Sequence, residues 1–281
     1  MSIKPYVEMV RVPNSLLSGV AALLAVLVYS GYELKLVLLA CAFVTGFSLT
    51  AAVMLVNDVV DSAVDLVNKP WKPIPSGRAS PRVALVLAAV FFALGVLCNL
   101  AASLLLLLVA AVYGAVGVLY NYMRKKWWSS NLVALSTTGP VVYGYAACGF
   151  PESSALFTAL FAITMYTVTL GREVLKSIQD YRGDLEAGYS TVATKYGLSK
   201  AYTAMLAIGL AGSALGLLTA TLGSVSTAYR ILILLAAAVY AYSIVVAYKL
   251  RDTRVLEASR KRTLLAMAIG VAAFWTSALK I

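Results

Sequence analysis

The sequence predicts an all-α, polytopic membrane protein: one domain over residues 1–281, with nine transmembrane helices in a single bundle. Sixty-one per cent of the residues are hydrophobic and only twelve per cent are charged, which is more apolar surface than one soluble core of this length can bury. Apolar runs of about twenty residues, the helical length that crosses ~30 Å of hydrocarbon, recur along the whole chain. These runs lack the period-two alternation of a transmembrane β-barrel, so we expect helices.

The nine apolar runs follow one another along the chain. Their approximate limits are 14–32, 35–56, 82–100, 102–121, 131–150, 153–171, 202–222, 229–248 and 262–280. The first run lacks a small-residue cleavage pattern and is followed by eight others, so we expect a retained span rather than a removed signal peptide. Runs one to four and five to eight resemble two copies of one unit, which predicts two four-helix halves.

The basic residues predict how the bundle is oriented, because Lys and Arg collect in short cytoplasmic loops. With the amino terminus inside, one face holds all but three of the twenty-three Lys and Arg, the exceptions being Lys35, Arg230 and Lys280. We therefore expect a multi-pass protein of the cell membrane with the amino terminus and polar loops in the cytoplasm and the carboxyl terminus outside. Orientation and anionic lipid headgroups explain this charge better than nucleic acid, which we do not expect as a partner.

A cluster of oxygen-bearing side chains follows the second predicted span. Its members are Asn57, Asp58, Asp61 and Asp65. On a helix, positions three, four and seven apart share one face, so these side chains form one stripe. Like charges repel, and more strongly at the edge of a membrane, which indicates a bound cation. The alternative is a solvated helix end whose acids merely pair with Lys69 and Lys72.

A second cluster closes the sixth predicted span. Arg172, Lys176, Asp180 and Asp184 are again four residues apart, so one helix face carries two cations followed by two carboxylates. An ordinary ladder of ion pairs between positions i and i+4 is the alternative. Because the predicted topology places both clusters on the same membrane face, four spans apart, we favour a functional role.

The donor types in these clusters indicate a particular class of ion. The chain has no histidine and no clustered cysteine, so soft or borderline metals lack their usual ligands. Carboxylate and amide oxygens suit Mg²⁺, which commonly combines a few carboxylates with phosphate oxygens of a substrate. This pairing predicts a phosphorylated substrate.

Two further segments carry polar residues on the same predicted face. The loop 68–78 has three prolines, which stiffen it, and long loops of this kind often cover sites. Tyr122 and Lys126 lie four residues apart after the fourth span, where they either reach a diphosphate or act as ordinary interfacial anchors.

Together these motifs resemble the UbiA superfamily of intramembrane prenyltransferases. The similarity is carried by NDxxDxxxD at 57–65, NKPxKPIPSG at 68–77 and DxxxD at 180–184, and it extends over all nine predicted helices. The resemblance implies a nine-helix bundle with a central cavity that opens to lipid. It also implies that Mg²⁺ and an isoprenyl diphosphate are held between the two acidic motifs, with a lipophilic or aromatic acceptor as second substrate.

The resemblance assigns roles by position. The implied Mg²⁺ ligands are Asn57, Asp58, Asp61, Asp65, Asp180 and Asp184. The implied diphosphate contacts are Asn57, Lys72, Tyr122, Lys126, Arg172 and Lys176, and the implied catalytic group is Asp61, Asp65, Asp180, Asp184 and Lys126. Lys72 stands where relatives often have arginine, which keeps the charge but loses the bidentate fork.

Within the superfamily, the stretch REVLKSIQDYRGDLEAG at 172–188 is most similar to the branch that makes digeranylgeranylglyceryl phosphate. The resemblance implies Mg²⁺-dependent transfer of a geranylgeranyl group to geranylgeranylglyceryl phosphate, and the alternative acceptor is 4-hydroxybenzoate or a related quinone precursor. Two other classes stay open. A transporter more often has its charges near mid-membrane, and a CDP-alcohol phosphotransferase has a single aspartate motif with glycines between the acids.

Overall fold

The structure is a computed structural model that describes residues 3–277, except for the side chains of Val67 and Asn68. Regular structure within these residues is entirely helical. The helices are α1 (Lys4–Val10), α2 (Val12–Tyr29), α3 (Leu36–Val60), α4 (Ser62–Asn68), α5 (Pro81–Leu97), α6 (Leu104–Met123), α7 (Ser130–Thr137), α8 (Gly139–Ala147), α9 (Ala155–Gln179), α10 (Tyr181–Glu186), α11 (Val192–Tyr196), α12 (Leu198–Ala220), α13 (Thr227–Leu250) and α14 (Thr253–Thr276). Short 3-10 segments occupy Cys98–Ala101 and Glu152–Ser154.

Seven segments of the described chain are long and apolar enough to cross a membrane, which confirms a multi-pass membrane protein. They are Val12–Tyr29, Leu36–Val60, Pro81–Ala101, Leu104–Met123, Glu152–Gln179, Leu198–Ala220 and Thr227–Leu250. Each overlaps one predicted apolar run, because hydropathy over a twenty-residue window depends on local sequence alone.

The predicted count of nine spans is not confirmed. The fifth run, 131–150, is divided at Thr138 into α7 and α8, because Pro140 has no N–H to donate to the carbonyl of Ser136 four residues before it. The ninth run lies in α14, whose first half carries five charged residues, and the end of that run lies outside the described residues.

The chain forms two compact units. The first comprises the residues up to Met123 together with Gly139–Gly149, and the second comprises Arg124–Thr138 together with the residues from Phe150 onward. The fifth predicted run is therefore divided between the two units, since α7 belongs to the second unit and α8 to the first. The predicted division into two four-helix halves is not confirmed.

The first unit is built around α3, which packs against α2, α5 and α6, while α8 packs against α2 and α6. Small residues let these helices approach closely, as is usual in membranes. A Cβ added at Gly46 of α3 would lie 2.5 Å from the backbone oxygen of Ser18 in α2. A Cβ added at Gly144 of α8 would lie 2.7 Å from the carbonyl carbon of Ala25.

A buried polar cluster also joins the helices of the first unit. Asn99 is fully buried, and its Nδ2 donates to Thr45 Oγ1 of α3 at 2.9 Å. Tyr143 of α8 donates its hydroxyl to Asn99 Oδ1 at 2.6 Å. Every partner of the amide is thus supplied by protein, which is the condition for placing it inside a membrane-spanning bundle.

The second unit is built around α9 and α12. α9 packs against α7, α12 and α14, and α13 packs between α12 and α14. Its core includes Leu175, Met205 and Ile244, which are fully buried. α9 carries the second acidic motif at its carboxyl end, so this packing fixes where that motif begins.

Candidate active site

The first acidic motif lies where α3 passes into α4. α3 ends at Val60, yet the Asp61 N–H bonds to the Asn57 carbonyl at 2.9 Å and the Asp65 N–H bonds to the Asp61 carbonyl at 2.8 Å. Helical i to i+4 hydrogen bonding therefore continues through the junction. The single stripe predicted for these side chains is retained, and Asp58, Asp61 and Asp65 are all buried.

One lysine ammonium bridges two of these carboxylates. Lys72 Nζ lies 3.0 Å from Asp58 Oδ1 and 2.6 Å from Asp65 Oδ2. Burial alone would lower the pKa of Lys72, but its hydrogen bonds to Asp65 and Asp58 outweigh that effect, and the pKa is raised. The sequence left open that these acids merely pair with lysines at a solvated helix end. Lys72 does pair with them, but the carboxylates it contacts are buried.

Arg11 is a second cation at this motif. Its Nη2 lies 3.3 Å from Asp58 Oδ1 and 3.5 Å from Asn57 Oδ1. Arg11 has a left-handed backbone, with φ 51°, at the junction between α1 and α2. Nothing in the local sequence relates Arg11 to an acid 47 positions away.

Asn121 of α6 also contacts the first acidic motif. Asn57 donates its Nδ2 to Asp61 Oδ2 at 3.2 Å and to Asn121 Oδ1 at 3.1 Å. Asn121 is 2% exposed, whereas the neighbouring Tyr122 is 59% exposed. The structure thus places Asn121, not the predicted Tyr122, against the first motif. A single amide near the end of an otherwise apolar span was the signal that could have identified it.

The second motif lies where α9 ends and α10 begins. The nearest partner of its two cations is Glu173, which is buried. Lys176 Nζ lies 3.0 and 2.9 Å from the two carboxylate oxygens of Glu173, and Arg172 Nη1 lies 3.7 Å from Oε1. The alternative of an ordinary ladder of ion pairs between Arg172 or Lys176 and the two aspartates is therefore not the observed pairing, because both cations contact Glu173 instead.

Asp180 and Asp184 form the carboxylate pair of this motif. Burial and the neighbouring Asp180 charge raise the pKa of Asp184 to about 6, against the opposing charges of Arg124 and Lys176. Burial is the larger cause of this rise, and repulsion between the two carboxylates adds to it. A cation bound beside them would relieve that repulsion.

Arg124 reaches this motif through the segment that follows α6. Its guanidinium lies 5.6 Å from the centre of the Tyr189 ring, and the Ser190 N–H donates to the Lys125 carbonyl at 3.2 Å. Lys126, which the resemblance implied, is exposed. Arg124 is therefore an addition to the residues that the resemblance implies in this segment, Tyr122 and Lys126.

Two unpaired atoms lie on the α9 side of the second motif. Among the described residues, the buried Nε of Arg172 and Oε1 of Gln179 have no hydrogen-bond partner. Buried polar atoms are nearly always paired in native proteins, so each exception requires an explanation. A phosphate oxygen is the natural acceptor for a guanidinium N–H.

The donor set fits Mg²⁺ bound together with phosphate. Within residues 3–277, no three His, Cys, Asp or Glu side chains form a metal-binding group by themselves. Mg²⁺, however, usually takes only one or two carboxylates and fills its other positions with waters and substrate phosphates. The first motif already accommodates a positive charge, since the Lys72 ammonium lies between Asp58 and Asp65.

The predicted site residues thus fall into two sets. The first comprises Asn57, Asp58, Asp61, Asp65 and Lys72, to which the structure adds Arg11 and Asn121. The second comprises Arg172, Lys176, Asp180 and Asp184, to which it adds Glu173 and Arg124. The convergence of both sets on one ligand stays a prediction.

Comparisons with known proteins agree with this description. The family model for the UbiA prenyltransferase family matches residues 18–278. A digeranylgeranylglyceryl phosphate synthase of Saccharolobus solfataricus is 32% identical over 206 residues, covering 72% of each chain. A solved structure of a digeranylgeranylglyceryl phosphate synthase has the same fold, with TM-score 0.85, 23% identity and 99% of each chain covered. A UbiA homologue from Archaeoglobus fulgidus, solved with DMAPP and Mg²⁺, has TM-score 0.67 at 17% identity, covering 96% of this chain and 98% of its own. The chain therefore belongs to the UbiA prenyltransferase family.

Proposed function

We propose that this protein transfers a geranylgeranyl group from its diphosphate to geranylgeranylglyceryl phosphate in a Mg²⁺-dependent reaction. Membership of the UbiA family supports prenyl transfer. The similarity to the digeranylgeranylglyceryl phosphate synthase of Saccharolobus solfataricus supports the acceptor. The observation that carries the proposal is the presence of two carboxylate sets beside basic side chains, each at the end of a membrane-spanning helix, with the aspartates of the first set buried. Carboxylates and cations of this kind suit a metal-bound diphosphate.

We propose that Asn57, Asp61, Asp65, Asp180 and Asp184 are the residues that bind Mg²⁺ and the diphosphate. Asp58 is held by both Arg11 and Lys72, which favours a supporting role over direct metal binding. Lys72 uses two of its three N–H groups on Asp58 and Asp65 and keeps one for a phosphate oxygen.

The basic residues of the second set act on the leaving group. When bound, Mg²⁺ neutralises the diphosphate and makes it a better leaving group. Arg172, through its unpaired Nε, and Lys176 stabilise the negative charge that grows on the diphosphate as the C1–O bond breaks. Tyr122 and Lys126 contact the same phosphates in this proposal. Glu173 holds the two α9 cations in place, and the apolar helices exclude water that would capture the prenyl cation.

The finer architecture follows from the same proposal. We infer nine membrane crossings in one domain, with α7 and α8 together forming the fifth and α14 the ninth. The amino terminus and both acidic motifs then lie in the cytoplasm, and the carboxyl terminus lies outside. The prenyl tail occupies a central cavity that opens to lipid.

An apolar cavity of about 70 Å³ lies within the second unit. Its volume is less than half of the ~150 Å³ of a cavity that holds benzene, so it is too small for the prenyl tail.

An assay with labelled geranylgeranyl diphosphate tests the activity. Purified protein in lipid receives geranylgeranylglyceryl phosphate, 4-hydroxybenzoate or a naphthoate, with Mg²⁺ or with EDTA. We expect product with the glyceryl phosphate only, and none with EDTA. Asp184→Asn should lower turnover by about 100-fold or more, the usual effect of losing one preorganised electrostatic contact.

Glu186→Gln is the matched control, because Glu186 is an exposed acid of the same short helix. Its turnover should stay at the wild-type level. Normal activity of Asp184→Asn would contradict the metal assignment. Product with 4-hydroxybenzoate instead of the glyceryl phosphate would assign the alternative acceptor, and transport of the diphosphate without product would contradict the enzyme.

A further inference from the structure

The second unit contains a groove that the proposed reaction does not use. It has a volume of about 300 Å³ and lies between α9, α11, α12 and the segment that leads into α7. Its inner wall is formed by Leu170, Val174, Ala204 and Ile208. Lys200 lines the opposite end, in the first turn of α12. Lys200 and Ile208 are eight residues apart, so the groove runs about 12 Å along the helix.

The groove lies on the opposite side of α9 from Arg172, a cation of the proposed reaction site. Leu170 and Val174 each lie two positions from Arg172 on α9, and two positions on a helix are about 200° apart. The groove therefore faces the side of α9 opposite Arg172. A molecule in the groove consequently lies across α9 from the Arg172 side chain.

The rim of the groove combines aromatic rings with cations. The Trp127 and Tyr196 rings meet edge to face, with centroids 5.5 Å apart. Lys195 Nζ lies 4.4 Å from the Trp127 ring centre and 5.2 Å from the Tyr196 ring centre. Tryptophan, tyrosine and lysine at the end of a membrane-spanning helix are typical of the lipid headgroup region.

The charge of the groove is one-sided. Lys195 and Lys200 are the cations at its rim, and none of the described residues that line the groove is Asp or Glu. The acid nearest in sequence on α9 is Glu173, and it is bonded to Lys176. A cationic rim above an apolar wall is complementary to an anion that carries a hydrocarbon chain.

We propose that this groove binds one anionic phospholipid, with its phosphate at Lys195 and Lys200 and the first part of one hydrocarbon chain along Val174, Ala204 and Ile208. The groove combines a cationic end with an apolar wall about 12 Å long. This combination favours a lipid over a free phosphate, because a free phosphate has no hydrocarbon chain to contact the apolar wall. The bound lipid holds α11 against α12, just after the second acidic motif. This site does not depend on the proposed activity.

Trp127 supplies the test, because bromine on a lipid chain quenches tryptophan fluorescence only at short range. A variant with Trp127 as its one tryptophan, W71F/W128F/W275F, is reconstituted in phosphatidylcholine vesicles. Brominated phosphatidylglycerol or brominated phosphatidylcholine is added at the same mole fraction. We expect stronger quenching by the anionic lipid, and we expect the double substitution K195Q/K200Q to remove the difference. Loss of each lysine should lower the relative affinity about five-fold.

Lys249→Gln is the matched control, because it removes an exposed cation of the same predicted membrane face and should retain the difference. As a second measurement, unaltered protein is re-isolated from mixed vesicles and its bound phosphatidylglycerol is compared with that of K195Q/K200Q, which should hold less. Equal quenching by the two lipids, or an unchanged preference in K195Q/K200Q, would overturn the proposal. Loss of the preference on adding soluble glycerol phosphate would assign the site to a free phosphoester instead.

Discussion

At the residue scale, the two motifs are governed by how buried charges are paired. Lys72 neutralises two carboxylates at once, and Glu173 holds two cations at once. Removing one partner of a buried pair leaves the other charge unpaired, which costs far more than a surface ion pair contributes. Substitutions of these residues are therefore expected to change both the stability of the protein and the geometry of its proposed site.

We expect Lys72→Met to destabilise the protein, because it leaves Asp58 and Asp65 without their shared cation. The expected loss is about 3 kcal/mol, the lower end for breaking a buried pair, since the Lys72 side chain keeps some exposure. The melting temperature in detergent measures the effect. Lys69→Met is the control, because Lys69 is exposed, and it should leave the melting temperature unchanged. Equal melting temperatures for the two variants would contradict the importance of the Lys72 contacts.

At the element scale, helix ends and close helix contacts position the motifs. The α3 to α4 junction keeps helical hydrogen bonding through Asp61, so the four-residue spacing survives the end of the span. The α2 to α3 contact is close because Gly46 has no side chain. α2 begins directly after Arg11, so this contact also determines how Arg11 approaches Asp58.

We expect Gly46→Ala to lower both stability and turnover. The added methyl group would meet the Ser18 carbonyl oxygen at 2.5 Å, and overpacking of this kind costs about 1–3 kcal/mol. Thermal unfolding and the prenyl-transfer assay measure the two effects. Gly270→Ala is the matched control, because nothing lies within 4 Å of its added Cβ, and it should behave as wild type. A Gly46→Ala protein as stable as Gly270→Ala would show that the contact adjusts without cost.

At the scale of the whole molecule, the distribution of charge predicts which side of the membrane carries the chemistry. Both acidic motifs and nearly all basic residues fall on one face if the helices alternate in direction along the predicted spans. Seven of these spans have counterparts in the structure. Each of the two units carries one acidic motif, as the prediction of two similar halves requires. The helices, however, are not divided into the two groups of four that were predicted.

We expect the orientation to be confirmed by single cysteines in a protein whose natural Cys41, Cys98 and Cys148 are replaced by alanine. Ser199→Cys lies on the predicted cytoplasmic face and Ser224→Cys on the outer face, and both positions are exposed. In intact cells, a membrane-impermeant maleimide should label Ser224→Cys alone, and Ser199→Cys should react only after lysis. The reverse labelling would invert the topology.

The sequence by itself determined the helical membrane class, the seven apolar runs that match long apolar helices in the structure, the spacing of both motifs and the resemblance to the family. All of these depend on local hydropathy and on helical periodicity, which short windows of sequence contain. The break at Thr138 was also local, since Pro140 signals it, and it was missed. Only the tertiary structure decided that Arg11 and Asn121 are partners of the first motif, because both come from other parts of the chain. Such contacts depend on how helices pack, and no pattern within one helix specifies that.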